Sequence, residues 1–375
     1  MIDGAGGGAG DRIPFLDLRP GPDAVEVRDA IHRVLARGWF VLGPEVEEFE
    51  AEFAAASGAK HAVGVGNGTD AIALALRATG VGPGDEVIVP AMTAAFTGLA
   101  VVAAGATPVF ADVEPDTLTL DPRACEAAVS PRTRAIVPVH LYGQAADIDA
   151  IAAIAARHGL AVIEDCCQAH LATAKGVPVG TQGAAGAFSF YPTKNLGGLG
   201  DGGAVVTNDS AVAERVRQLR NGGQTSRYLH AIAGVNSRLD EIQAAVLRVR
   251  LMFLRAFTAH RRSLASFYRE SLPDSAPAIR ERDPGHVYHL FPIRSARREA
   301  LQTHLARAGV DTLIHYPVPL HEQPAFAHLS PRDCPEATRA AGELLSLPLH
   351  PRMQTGEVLR VVEAIRAFER GTIHA

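Results

Sequence analysis

Short, continuous apolar runs recur along the chain, each followed by a stretch with helical spacing. The runs are His61 to Val65, Glu86 to Val89, Thr107 to Phe110, Ala135 to Val139, Ala161 to Ile163, Ala187 to Phe190 and Ala204 to Thr207. A strand that is apolar on both faces needs cover on both faces, which is the condition of a parallel sheet sandwiched between helices. Helical patterns such as Thr69 to Ala78, Ile148 to His158 and Ala211 to Arg220 lie between the runs. The expected fold is therefore α/β, with a large, doubly wound and mostly parallel sheet. Its domain is expected over 13–250.

Leu239 to Ser271 follows, with apolar residues at helical spacing and neither Gly nor Pro, so it predicts one or two long helices. Pro273 to Pro284 is polar and Pro-rich and reads as a connection. A strand at Val287 to Ile293 and helices at Arg298 to Ala308, Glu336 to Leu345 and Gly356 to Arg370 predict a smaller C-terminal α+β domain over 251–375. The glycine-rich stretch 1–12 lacks a basic-then-apolar signal pattern and reads as a flexible tail. A chain of 375 residues that is 47% hydrophobic can bury cores in both domains.

The net charge of −5 and the 21% charged residues argue against nucleic acid as a partner, which requires a basic surface. No apolar run reaches the roughly 20 residues that span a bilayer, so no membrane partner is expected. The four cysteines, Cys125, Cys166, Cys167 and Cys334, form no Cys-x-x-Cys pair. They suggest neither a metal site nor a disulfide framework, and a reducing cytoplasm is the simplest setting. Arginine carries nearly all the positive charge: lysine occurs only at Lys60, Lys175 and Lys194. Chemistry that needs a lysine amine has three candidates.

Three segments carry the chemistry. Gly64-Val65-Gly66-Asn67-Gly68-Thr69-Asp70 leaves a strand and opens a helix, where free N–H groups and the positive end of the helix suit a phosphate. It would equally serve as a capped turn. Its spacing is not Gly-x-Gly-x-x-Gly, which weakens a dinucleotide reading. Val162-Ile163-Glu164-Asp165 ends an apolar strand in two carboxylates, at the edge where open α/β sheets bind ligands. Such acids also cap helices or pair with Arg. Phe188-Ser189-Phe190-Tyr191-Pro192-Thr193-Lys194 runs into the glycine-dense loop Leu196 to Gly203. A lysine amine at a half-buried strand end loses its proton more readily and can form a Schiff base with an aldehyde. The plain alternative is a surface lysine beside a loop.

A phosphate cradle, an acid for a cationic ring nitrogen and an amine for an aldehyde are the three handles of pyridoxal 5′-phosphate (PLP). The ordered set of motifs goes further. Pro14-Phe15-Leu16-Asp17-Leu18, Asn67-Gly68-Thr69-Asp70-Ala71, Gly84-Asp85-Glu86-Val87-Ile88-Val89-Pro90 and Val139-His140-Leu141-Tyr142-Gly143-Gln144 stand in the first half. Gln168-Ala169-His170, the lysine segment, Asn236-Ser237-Arg238-Leu239-Asp240-Glu241 and His315-Tyr316-Pro317-Val318-Pro319-Leu320-His321 follow. Over nearly its whole length the chain resembles the nucleotide-sugar aminotransferases of the DegT/StrS type, within fold-type I of the PLP enzymes.

That resemblance implies a Schiff base at Lys194, a ring-nitrogen partner in Asp165 and a contact from Gln168 on the ring-hydroxyl side. It implies a phosphate held by Gly68, Thr69 and Ser189, with Asn236 reaching in from a second subunit of a homodimer. It implies transfer of an amino group from L-glutamate to a nucleotide-linked keto-sugar, best matched by a dTDP-3-oxo-6-deoxyhexose. The acceptor would lie near His315, Tyr316, His321 and Arg220; Arg220, Arg227 and Arg238 all suit a diphosphate or a carboxylate, though an ordinary surface ion pair is the plainer reading of any one of them. A 4-oxo sugar, a cyclitol, a NAD-dependent enzyme and a PLP-binding sensor without turnover are the alternatives. Two positions depart from the family pattern. Ala94 stands where an aromatic residue stacks on the ring, leaving Phe96 or another group to cover it, and Arg220-Asn221-Gly222-Gly223 replaces Arg-Asn-Tyr-Gly.

Overall fold

A computed structural model describes residues 12–19, 21–329 and 332–372. The expected tail lies outside the described residues except for Arg12, whose guanidinium bonds Asp311. Seven strands build the large sheet: β1 (His61–Val65), β2 (Glu86–Pro90), β3 (Thr107–Ala111), β4 (Thr133–Ile136), β5 (Ala161–Asp165), β6 (Ala185–Ser189) and β7 (Gly203–Thr207). Their spatial order is β1-β7-β6-β5-β4-β2-β3. Only β7 runs against its neighbours, pairing antiparallel with both β1 and β6. The chain has the α/β architecture that its apolar runs predict.

The register brings separate segments together. Val65 pairs with Gly203 and Gly203 pairs with Ser189, so the ends of β1 and β6 lie two strands apart at one height. Asp165 pairs with Ala187 on β6, two residues before Ser189. The turn after β1, the end of β5 and the loop after β6 therefore share the C-terminal edge of the parallel strands. Gly203 is required there, because a Cβ would stand 2.3 Å from the Asn67 carbonyl oxygen.

Helices Ala24–Arg37 and Pro44–Ser57 precede the sheet, and both pack on the long helix Glu241–Ser271. The Glu241 carboxylate caps Pro44–Ser57 by accepting from the N–H groups of Gly43, Glu45 and Val46 at 2.9–3.0 Å. This helix runs unbroken through the expected boundary at 250. Beyond it, Tyr268 stacks on Phe291 at 4.8 Å in a second core that includes Leu301, Leu347, Val361 and Ile13. Two expectations need correction. The strand expected at Val287 to Ile293 is Phe291–Arg294, because the N–H groups of Val287 and His289 bond the carbonyls of Gly143 and Tyr142 instead. The helix expected to reach Leu345 stops at Glu343, where Leu344–Leu347 becomes the antiparallel partner of Phe291–Arg294.

Strand β5 ends in Glu164 and Asp165, which the pleat sends to opposite faces. Glu164 is fully buried and accepts from His140 Nε2 at 3.0 Å and from the N–H groups of Gly180, Gln182 and Gly183 at 2.8 Å. His140 Nδ1 accepts from the Ala146 N–H, which leaves the ring proton on Nε2. Burial pushes the Glu164 pKa up, but the His140 bond and the backbone donors outweigh it, and the carboxyl lies below its ordinary value. Cys166 completes a cluster with ligand atoms within 4.8 Å, yet the four donors already fill the carboxylate's lone-pair positions. Glu164→Ala strands those donors and should lower stability by about 3 kcal/mol or more, read as a fall in urea midpoint at unchanged slope. The depressed pKa sets the sign of the pH dependence: the wild-type contribution is complete above the ordinary carboxyl range and fades as pH falls through the folded-state value.

Candidate active site

Of the three lysines, Lys60 and Lys175 are exposed, and Lys175 pairs with Asp149 at 2.5 Å. Lys194 is half-buried in the turn after β6, where its N–H bonds the Tyr191 carbonyl. Among the described residues its ammonium has no carboxylate within ion-pair distance. Burial lowers its pKa from the ordinary value, while Cys167 and then Asp165 draw it back up. The result is an amine that gives up its proton more easily than a surface lysine does.

Asp165 stands on the same side of the sheet, buried, with a defined set of donors. Oδ2 accepts from the Thr97 hydroxyl at 2.8 Å and Oδ1 from the Cys167 N–H at 3.1 Å. Each oxygen keeps a lone pair for a further donor. Thr97 belongs to helix Ala95–Ala103, so the segment after β2 orients the acid that ends β5. Gln168 is buried beside it. Its Oε1 accepts from the Tyr142 N–H at 2.7 Å, and its Nε2 donates to Tyr316 Oη at 2.9 Å. His315 Nδ1 meets Ser346 Oγ at 3.0 Å, and its ring stacks on Phe15 at 5.7 Å.

Across the sheet edge, helix Gly68–Ala78 begins at Asn67, whose side chain accepts from the Asp70 N–H at 2.8 Å. Asp70 Oδ2 accepts from Ser237 Oγ at 2.6 Å, and that hydroxyl accepts from the Gly66 N–H. A Cβ on Gly68 would lie 2.6 Å from Ser189 Cβ and 2.8 Å from Cys167 Sγ. Glycine is what permits β6 and the helix start to converge into a narrow cradle. Thr69 is half-buried in the first helical turn.

The structure thus brings Gly68, Thr69, Asp165, Gln168, Ser189, Lys194, His315 and Tyr316 toward one edge. Other candidates stand elsewhere. Arg220 has a different task from the expected substrate contact: buried, it bonds Glu50 Oε1 and the Gly64 carbonyl, while Glu50 accepts from the Gly64 N–H at 2.8 Å. Its fork braces β1. His321 faces Thr338 Oγ1 at 3.2 Å and Glu322, in a turn whose Leu320 N–H bonds Ala91. Asn236 is exposed, in a bridge to Asn221. Phe96 is 64% exposed. Thr97, Cys167 and Tyr142 escaped sequence reasoning, since their roles depend on which neighbours the register supplies.

Residues 23–366 match the model of the DegT/DnrJ/EryC1/StrS aminotransferase family. The chain belongs to that family. A Streptomyces venezuelae protein named dTDP-3-amino-3,4,6-trideoxy-alpha-D-glucose transaminase is 50% identical over 364 residues, spanning 95% of this chain and 96% of that protein. The erythromycin biosynthesis sensory transduction protein EryC1 of Saccharopolyspora erythraea is 51% identical over 363 residues, 95% and 99% of the two chains. The crystal structure of S. venezuelae DesV superposes with a TM-score of 0.92 at 49% identity, covering 96% of this chain and 98% of that one. Like its family, this chain is a PLP-dependent aminotransferase. The site suits the cofactor: the Gly68 cradle admits no Cβ, Lys194 has no carboxylate partner, and Asp165 has capacity for one more donor.

Two outcomes follow. Gly68→Ala should weaken PLP binding about tenfold or more without unfolding the protein, as measured by titrating apoprotein and following the cofactor absorbance. Below its midpoint, Lys194 Nζ holds a proton and cannot attack an aldehyde. The rate of PLP uptake by apoprotein should therefore rise with pH through a midpoint below the ordinary lysine value of 10.5.

Proposed function

We propose that the chain transfers an amino group from L-glutamate to C3 of a dTDP-linked 3-oxo-6-deoxyhexose, in amino-sugar biosynthesis in the cytoplasm. The observation that carries this reading is the convergence of Lys194, Asp165 and the Gly68–Ser189 cradle, with Tyr316 tied to Gln168 at the same edge. The similarity to a dTDP-3-amino sugar transaminase supports the choice of acceptor and carbon.

PLP supplies an aldehyde carbon and an electron-accepting ring. The protein does the rest. Asp165, oriented by Thr97 and the Cys167 N–H, would be the partner of the ring nitrogen. Gly68, Thr69 and Ser189 present N–H and hydroxyl donors to the phosphate at a helix start. Gln168 fixes Tyr316 and faces the ring-hydroxyl side. Lys194 Nζ would hold the cofactor by its aldehyde and, once the donor amine has taken its place, would accept the proton from the donor Cα and return one, acting as base and then acid. In the second half-reaction the same groups run in reverse on the keto-sugar, with His315 and Tyr316 at the acceptor. Burial, then the Lys194 charge, lowers the His315 pKa to about 4, so its ring is neutral across the working pH range.

The reading includes a homodimer. Trp39, Phe40, Phe96, Leu99, Tyr228 and Leu229 expose large apolar surfaces. Asn236, exposed on its own subunit, would reach the phosphate of the other.

Adding L-glutamate to the purified PLP-loaded protein should convert its spectrum to that of the pyridoxamine form, and a 3-oxo sugar nucleotide should restore it. Lys194→Ala should abolish both conversions, a loss of about 10⁴-fold or more, while preserving the fold by circular dichroism. An unchanged spectrum with glutamate would favour the sensor alternative; a turning-over Lys194→Ala protein would reject the assignment of the amine.

A further inference from the structure

A cavity of about 250 Å³ opens on the Lys194 loop, between that loop, the N-terminal segment at Leu16 to Asp23, the long helix and the turn at His350 to Arg352. Lys194 is in its wall, whereas Gly68, Thr69, Asp165, Gln168 and Ser189 are not. The cavity is therefore beside the cofactor bed and distinct from it. Its volume falls below the usual range for ligands of drug size, so it suits an amino acid better than a nucleotide sugar.

Four arginines line it. Arg19 and Arg352 pair with Asp17, and Arg250 pairs with Asp23 while donating to the Gly197 and Gly198 carbonyls. Arg261 differs. Only 4% exposed, it donates from one nitrogen to the carbonyls of Leu349 at 2.7 Å and Tyr288 at 3.3 Å. Its Nε has no partner, and among the described residues no carboxylate lies within ion-pair distance. His350, 3% exposed, lies against the Pro14 backbone, and neither ring nitrogen makes a well-formed hydrogen bond. A guanidinium cannot shed its charge at working pH, so burying one without an anion costs stability. Burial pulls this one down to about 10. Arg261, His350 and Lys194 all line this one cavity.

We infer that Arg261 and His350 form a carboxylate subsite that receives the amino donor beside Lys194. The planar fork of Arg261 offers Nε to one carboxylate oxygen, and His350 offers a ring N–H to the other. Such a subsite would let one active site serve two unlike substrates: the small anionic amino acid enters here, and the larger sugar nucleotide approaches past His315 and Tyr316. The inference rests on the aminotransferase reading above for the identity of the anion.

Glutarate tests it directly. It carries the carboxylates of glutamate but no amine, so its binding to the holoprotein does not depend on turnover. Calorimetric titration should show binding to wild type, weakened about tenfold or more in Arg261→Gln and to a lesser degree in Arg261→Lys and His350→Gln. The glutamate concentration that half-saturates the spectral conversion should rise by a similar factor. No glutarate binding to wild type, or equal binding by folded Arg261→Gln, would overturn the subsite. If Arg261→Gln does not fold, Arg261→Lys and His350→Gln decide in its place: unchanged affinity in both overturns it. If glutarate binds and the variants lose it but glutamate fails to convert wild type, the subsite stands and glutamate is rejected as the donor.

Discussion

Two neighbouring carboxylates at the end of one strand do opposite work because a pleated strand turns successive side chains to opposite faces. Glu164 points into the protein and gathers an imidazole and three backbone N–H groups around one negative charge. Those donors come from the turn after β4 and from the loop that leads into β6, so a single side chain fastens three consecutive pieces of the sheet edge. Asp165 points the other way and receives only Thr97 and one N–H. A carboxylate saturated with donors is structure; one left with spare lone pairs is available to a ligand. Positioning the second depends on fastening the first, since a one-residue slip would exchange their faces.

The positive side of the site is built with equal economy. Lys194 sits among imidazoles that burial keeps neutral. His170 is lowered to about 3, by burial and then by the Lys194 charge, and His289 is lowered well below the ordinary histidine value. Neither adds a charge near neutral pH, so the amine answers mainly to desolvation and to the partial pull of Cys167 and Asp165. A carboxylate in ion-pair contact would have locked the ammonium in place. Its absence among the described residues, together with the neutral rings, makes the Nζ proton easier to lose, as the proposed role of base and then acid within each half-reaction requires.

Much of this was legible in the residues. Continuous apolar runs announced all seven strands, six of them to within two residues at either end, because short β-branched runs bounded by turn residues are too short for helices; the run expected over Ala135 to Val139 is the strand Thr133–Ile136. Lys194 stood out through rarity and Asp165 through its place at a strand end. Helices Ala24–Arg37 and Pro44–Ser57 were not anticipated: each has one buried stripe and otherwise charged faces, a pattern that acquires meaning only once Glu241–Ser271 is there to pack against. The strand Leu344–Leu347 was hidden for a related reason. Its apolar residues continue the spacing of the preceding helix, and only the edge offered by Phe291–Arg294 decides for extended backbone. Arg220 was open to two readings because a guanidinium suits a diphosphate and a buried carboxylate equally; Glu50 lies 170 residues away, and sequence does not reveal which anion it meets.

The scarcity of lysine then acquires a physical sense. Wherever this protein needs a permanent cation as a brace, it uses arginine: Arg220 under β1, Arg250 across the carbonyls of the Lys194 loop, Arg269 against the Ile279 carbonyl. The planar fork holds two or three acceptors at once and keeps its charge at any accessible pH. These are virtues in a scaffold and disqualifications in a nucleophile. Lysine has the opposite profile, a single point charge on a flexible stem that can be neutralised by burial. Two of the three lysines are on the surface. The third is placed where burial lowers its pKa, and no other lysine stands in that turn. Structural cations and the chemical amine are thus separated by residue type as well as by position.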